Sequence, residues 1–331
     1  MAAGPGVRPG VPDGYRRPVT SEPPAPRSLA DALEHRSAPV AVAVGATVLW
    51  SLGNLMAAAS DLPGPQLAFW RITFGAVLYQ LVFRLRGGRM RIETLRTATT
   101  GGLAFGLSSI LFFTALQTTS VASVTIILAL QPVLLLPYAV RRLGERVDGA
   151  RLVLMALAIL GTVVAVLAGS SSGTHSVLGD VLAFAGTLVG CAYFVGTKRA
   201  RESLGSIEYQ AAALTVGAVV ALVGALVTGP GLVTPDAGDL GWALLLTVVP
   251  GTGHLMMSWA QAHLDVSTTS TITLDVVVLS SLGAVVAFGQ SLVPAQVVGM
   301  AVVLVALALF VRRASAASLP EPADVPIAGG D

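Results

Sequence analysis

The chain has 331 residues, of which 54% are hydrophobic and 11% charged, with a formal net charge of +2. Soluble domains carry about 25% charged residues, so a water-soluble fold of this size is excluded. The apolar residues come in runs of about 20, the length of a helix that crosses a bilayer core, and lack the alternation of a membrane barrel.

From the N-terminus, residues up to about Arg36 are rich in Pro, Gly and Arg and lack the apolar stretch of a signal peptide. A disordered tail is expected over 1–38 and another over 314–331. Between the tails lie ten apolar segments, over 40–59, 65–84, 99–117, 121–140, 152–169, 177–197, 209–228, 240–260, 267–288 and 293–311. The expected fold is an all-α integral membrane protein with ten transmembrane helices.

The basic residues test that number. Five arginines lie in the first tail and five between segments two and three. Arg141, Arg142, Arg146 and Arg151 follow segment four, Lys198, Arg199 and Arg201 follow segment six, and Arg312 and Arg313 follow segment ten. With ten crossings all of these fall on one side, and of the 20 basic residues only Arg71 lies within a span. Positive charge stays cytoplasmic, so both termini are expected on the cytoplasmic side of the cell membrane.

The two halves resemble each other. At an offset of 145 residues, "ALQTTSVASVT" from Ala115 falls on "AQAHLDVSTTS" from Ala260, and Met155 falls on Met300. Near segment two an offset of 142 is better, with "RITFGAV" opposite "ALTVGAV". Each half, 39–170 and 176–313, then holds five crossings. Five is odd, so the second half is expected to be inverted relative to the first, with a substrate path at the interface near the midplane.

Four stretches carry a family resemblance: "ATVLWSLGNLMAA", "LAFWRITFGAVL", "FFTALQTTSVASVTIILALQPVLLL" with "LGERV" after it, and "LGDVLAFAGTLVGCAYFV". In this order and spacing the chain resembles the drug/metabolite transporter superfamily, with EamA-type repeats, over about residues 40–312. The resemblance implies ten helices in a five-plus-five inverted fold and transport of small organic molecules, often outward. The second half departs from it. Where the first has Gln131-Pro132 and Glu145, the matched positions read Val276-Val277 and Gln290, and Asp275 aligns with Leu130.

Asp275 is therefore argued from physics. An Asp at the centre of a spanning helix costs about 2.5–3.5 kcal/mol, and this one is about 12 Å from the cytoplasmic end of its segment. Thr268, Thr271 and Asp275 share a helical stripe, which reads as a polar path ending at the acid. The alternative is a structural Asp bonded to a neighbouring helix and to Thr271. His254 is at similar depth and is the expected partner, able to hold or pass a proton; the alternative is a histidine bonded to a carbonyl of a broken helix. Pro250, Gly251 and Gly253 are expected to interrupt segment eight. Phe105-Gly106 stands opposite Pro250-Gly251 in the repeat, which marks Gly106 as a second break, with close helix packing as its alternative. Pro132 is a further break candidate.

Arg71 is deeper than a snorkelling residue needs. It would neutralise a carboxylate on a substrate or on the protein, or clamp backbone carbonyls. Trp50, Asn54, Gln131 and Tyr193 complete the expected path, since a cavity for organic solutes has aromatic walls with a few polar groups. Tyr79, Gln80 and Trp259 also lie inside spans. Glu145, beside Arg141, Arg142 and Arg146, reads as an ion-pair residue. Cys191 and the four histidines show no metal-ligand pattern.

These features favour a secondary transporter, an exporter of small metabolites or drugs, over a membrane-embedded enzyme or a structural or signalling membrane protein. No nucleophile with a matched base and no cofactor loop is present, so no catalytic role, cofactor or metal is expected. The expected partners are a small-molecule substrate, the lipid bilayer and a proton or other coupling ion. A homodimer stays open, and no nucleic acid is expected.

Overall fold

In hydrocarbon each backbone N–H and C=O must be satisfied within the protein, by a helix or a closed barrel, and the chain answers with helices: among the described residues there is no strand. The structure is a computed structural model and describes residues 29–58, 62–119, 121–169, 176–228, 232, 235–288 and 291–317. Twelve helices follow in order: α1 (Leu29–Ala58), α2 (Gly64–Leu85), α3 (Ile92–Thr118), α4 (Val121–Leu128), α5 (Gln131–Arg142), α6 (Gly149–Gly169), α7 (Val177–Ala200), α8 (Ser206–Val227), α9 (Ala237–His263), α10 (Val266–Ile272), α11 (Asp275–Phe288) and α12 (Pro294–Ala317).

Eight helical stretches are long and apolar enough to cross a membrane, and a shorter apolar one covers 38–54. Two of the eight, Ser123–Arg142 and Val266–Gly283, run through the joints α4–α5 and α10–α11. With α2, 22 residues long and made less apolar by Arg71 and two glutamines, the spans number ten, as the apolar runs predict. The expected tails lie mostly outside the described residues; the described parts are helical, from Leu29 in α1 and to Ala317 in α12.

Helices here approach closely where side chains are small, the usual basis of packing between spanning helices. A Cβ on Gly196 of α7 would lie 2.7 Å from Gly101 N of α3, and one on Gly161 of α6 would lie 2.8 Å from Gly299 O of α12. A Cβ on Gly106 of α3 would lie 2.7 Å from Gly217 O of α8. Gly106 is thus a packing residue in a continuous helix, which corrects the expected break. Outward faces keep large apolar side chains exposed, among them Val77, Leu103, Leu160, Val219 and Val305.

The expected interruption at Pro250, Gly251 and Gly253 is also absent: α9 is helical throughout. The Pro250 ring fits against Gly53 of α1, where a Cβ would come within 2.8 Å of it. Tyr79 donates to Gly251 O at 3.2 Å, tying α2 to α9 beside the proline. A neighbouring helix that accepts the ring lets a spanning helix carry Pro without breaking.

The actual joints lie in spans four and nine. Leu130 N donates to Ile127 O at 3.1 Å, and Leu274 N donates to Thr271 O at 3.1 Å. Both are bonds to the residue three back, a single tight turn where the α-helix would bond four back. In the first joint Pro132 follows at the second position of α5; lacking an N–H, it cannot continue the ladder, so its expected break is present. The second joint has no proline. There Thr273 donates to Ser270 O at 2.7 Å and Thr271 to Ser267 O at 2.6 Å, and such back-bonding competes with the ladder and bends it.

Polar contacts sort the loops into two ends. At one end Thr94 donates to Glu208, Lys198 to Gln261 O and Leu264 O, Arg201 to Ser258 O, and Arg313 to Asp148. This end carries the basic loops. The Asp148 carboxyl there is held below the usual carboxylate range, chiefly by the Arg151 backbone N–H and also by Arg313. At the other end Gln117 bonds Gly64 N and Leu62 O, and Thr119 donates to Asp180.

Candidate functional site

Two groups of the expected site residues come together, and α1 touches both. The first surrounds His254 of α9. Its ring centroid lies 4.8 Å from that of Trp50 and 4.8 Å from that of Phe105. Its Nδ1 is 3.2 Å from the Tyr193 hydroxyl. Tyr193, not Asp275, is therefore the partner of His254, which corrects the expected His–Asp pair. Four helices, α1, α3, α7 and α9, supply this group.

Arg71 of α2 lies beside it. The guanidinium carbon is 5.9 Å from the Phe105 ring centroid and 5.8 Å from that of Phe113. Thr247 of α9 donates to Arg71 O at 2.9 Å and fixes the backbone there. Among the described residues no carboxylate lies within ion-pair distance of Arg71. Arg71, Tyr79, Phe105, Gln210, Thr247, Gly251 and His254 line a void of about 10 Å³, room for about one water molecule. The site is shut in this conformation.

The second group is centred on Asp275, 6% exposed and the first residue of the half-helix α11. A negative group is favoured at a helix N-terminus, where N–H groups lack partners. Oδ2 accepts from Thr47 of α1 at 2.9 Å, while Oδ1 is buried without a hydrogen-bond partner. The Thr47 hydroxyl is also 2.7 Å from Val44 O. One turn on, Ser51 reaches Val276 O at 3.4 Å, and Asn54 reaches Ser280 at 3.5 Å. Thr47, Ser51 and Asn54 thus form a polar stripe at helical spacing against α11. Thr47 and Ser51 join this group beyond the residues expected from the sequence; their i, i+4, i+7 spacing with Asn54 is the signal for them.

Thr268 and Thr271 lie on α10, whose seven residues are all buried. Thr268 accepts from Arg151 at 3.2 Å, and Thr271 is turned back on its own helix. The joint at Thr273–Leu274 separates these two residues from Asp275, and in this conformation they offer no open path. Arg151, 2% exposed, also donates to Arg146 O and lies 5.0 Å from the centroid of the Phe310 ring.

Glu145 accepts from Val266 N at 2.6 Å and from Ser267 N at 3.0 Å, capping the first turn of α10. Gly144, with φ of 69°, makes the turn that delivers it; such a φ favours glycine. Glu145 is thus a cap across the two halves, not the ion-pair partner of neighbouring arginines. Gln131 is the first residue of α5, as Asp275 is of α11. The structural offset at the joint is 144 (275 − 131), so Asp275 corresponds to Gln131 and not to Leu130. The α10 half-helix has seven residues where α4 has eight, which accounts for the shift. Trp259 lies apart, stacked on His263 with ring centroids 4.2 Å apart.

A family model described as "EamA-like transporter family" matches residues 38–167 and 177–312. No curated protein matches the chain. One solved structure, described only as "Crystal structure of protein", has a TM-score of 0.70 at 20% sequence identity. The similarity covers 86% of this chain and 100% of that one, and it supports the fold alone.

Proposed function

The chain belongs to the EamA-like transporter family, and from that premise we propose that it is a proton-coupled secondary transporter exporting small organic solutes across the cell membrane. Transport proceeds by alternating access between two inverted five-span repeats, and both termini are cytoplasmic. The basic loops gathered at one end support that orientation.

The observation that carries the reading is Asp275: a buried acid at the joint of a span, with one oxygen unpaired and no cation within ion-pair distance among the described residues. An uncompensated charge in such a place costs several kcal/mol, so proton occupancy is linked to access to water. Thr47 serves both states. It donates to the carboxylate when Asp275 is ionised. It accepts from the carboxylic acid and donates to Val44 O when Asp275 is protonated. The Trp50–Phe105–Tyr193–His254 group supplies the solute-facing wall, since organic solutes are held by aromatic surface with few polar groups.

Efflux from cells preloaded with a panel of labelled metabolites tests the direction. Cells making the protein are expected to lose at least one solute several-fold faster than cells without it. Faster uptake of a solute, with no efflux accelerated, would overturn export.

A further inference from the structure

We propose that the substrate is an organic monocarboxylate with a flat, unsaturated body, its carboxylate held by Arg71 and its body by the rings around His254. This deepens the transporter reading and rests on it.

The argument begins with charge. Arg71 is a permanent cation within a span, and among the described residues its guanidinium has no ion pair. Its close neighbours are the Phe105 and Phe113 rings, which soften the charge but offer no lone pairs. A cation at this depth is costly and is ordinarily paired or turned into a water-filled cavity. Here it borders a void too small for more than about one water. The side chain therefore presents a charged fork with no carboxylate partner, and such a fork matches a carboxylate through two parallel bonds.

The second part is shape. Phe105 touches both Arg71 and His254, so the fork and the aromatic wall are contiguous. Trp50 Nε1 is buried and has no partner, leaving one further donor on that wall. The Arg71 charge without an ion pair and the free Trp50 N–H favour an acceptor-rich, anionic ligand over an amine. A single guanidinium balances a monoanion. The other cavity-lining residues include no lysine or second arginine for a dianion. A cationic solute would meet Arg71 as a like charge.

The test uses the purified full chain in detergent, with tryptophan fluorescence as readout. The probes are 3-phenylpropionate, 3-phenylpropionamide and 3-phenylpropylamine, which share a body and differ in the head. The acid is expected to bind at least tenfold more tightly than the amide, and the amine more weakly still. That preference is expected to vanish in Arg71→Gln and to survive in part in Arg71→Lys. The wild-type ranking needs no variant, so a misfolded Arg71→Gln leaves the test intact. Equal binding of acid and amide, tighter binding of the amine, or no binding of the acid would overturn the proposal.

Flux in proteoliposomes separates this claim from the transporter reading. Arg71-dependent acid binding without flux of any solute would sink transport and leave the subsite standing. Flux of other solutes with no preference for the acid would sink the subsite and leave transport.

Discussion

Gly106 and Gly251 sit at similar places in the two halves, yet their surroundings assign them different work. A Cβ on Gly106 would press on the Gly217 carbonyl at 2.7 Å, and backbone there cannot swing aside. A Cβ on Gly251 would meet nothing within 4 Å. Gly106→Ala is therefore expected to destabilise by about 1–3 kcal/mol, the range for overpacking. Gly251→Ala is expected to be neutral or to stabilise by up to about 1 kcal/mol, from helix propensity. Thermal unfolding in detergent checks both. Equal shifts in melting temperature would contradict the packing account of Gly106. Sequence alone could not separate the two, because a glycine in an apolar run shows neither its neighbour nor the distance to it.

Whole spans were legible because each needs about 20 apolar residues and positive charge marks their ends. The joints were legible only where proline makes them. Pro132 marks the first. The second, at Thr273 and Leu274, is built from hydroxyls bonding back to carbonyls, and "TITLD" contains no residue that forbids a helix. Pro250 misled in the opposite sense, because Gly53 comes from a distant segment to accommodate its ring. Glu145 is the same kind of case: its sequence neighbours are arginines, but its partners are backbone N–H groups of residues 266 and 267. Hydrogen bonds to charged groups contribute about 1.5–3 kcal/mol each. Glu145→Gln keeps the shape and one acceptor oxygen, and is expected to lower stability by about 1–3 kcal/mol. Glu145→Ala is expected to cost more, since two buried N–H groups lose their acceptors. Melting temperatures of the two variants check this order; unchanged stability in Glu145→Ala would show that the cap carries no weight.

At the scale of the molecule, every site group is closed off at once. α10 is buried, the void beside Arg71 has room for about one water, and polar contacts clasp both ends of the bundle. The proposed alternating access would require the two ends to open in turn. The basic-end contacts of Glu145, Arg151, Lys198 and Arg201 are those to release for one side. Those of Gln117, Thr119 and Asp180 are those for the other. Asp275 lies at the joint between half-helices, where a change in tilt would alter its access to water. The account therefore turns on the proton at Asp275. The most direct measurement is accumulation of a labelled solute by proteoliposomes under an imposed pH gradient, for the parent and for Asp275→Asn, which keeps size but does not titrate. The parent is expected to accumulate solute until a protonophore collapses the gradient. The variant is expected to insert normally, exchange solute and lose accumulation by tenfold or more. Accumulation by Asp275→Asn equal to the parent, with only its melting temperature altered, would make the aspartate a structural residue and contradict the account.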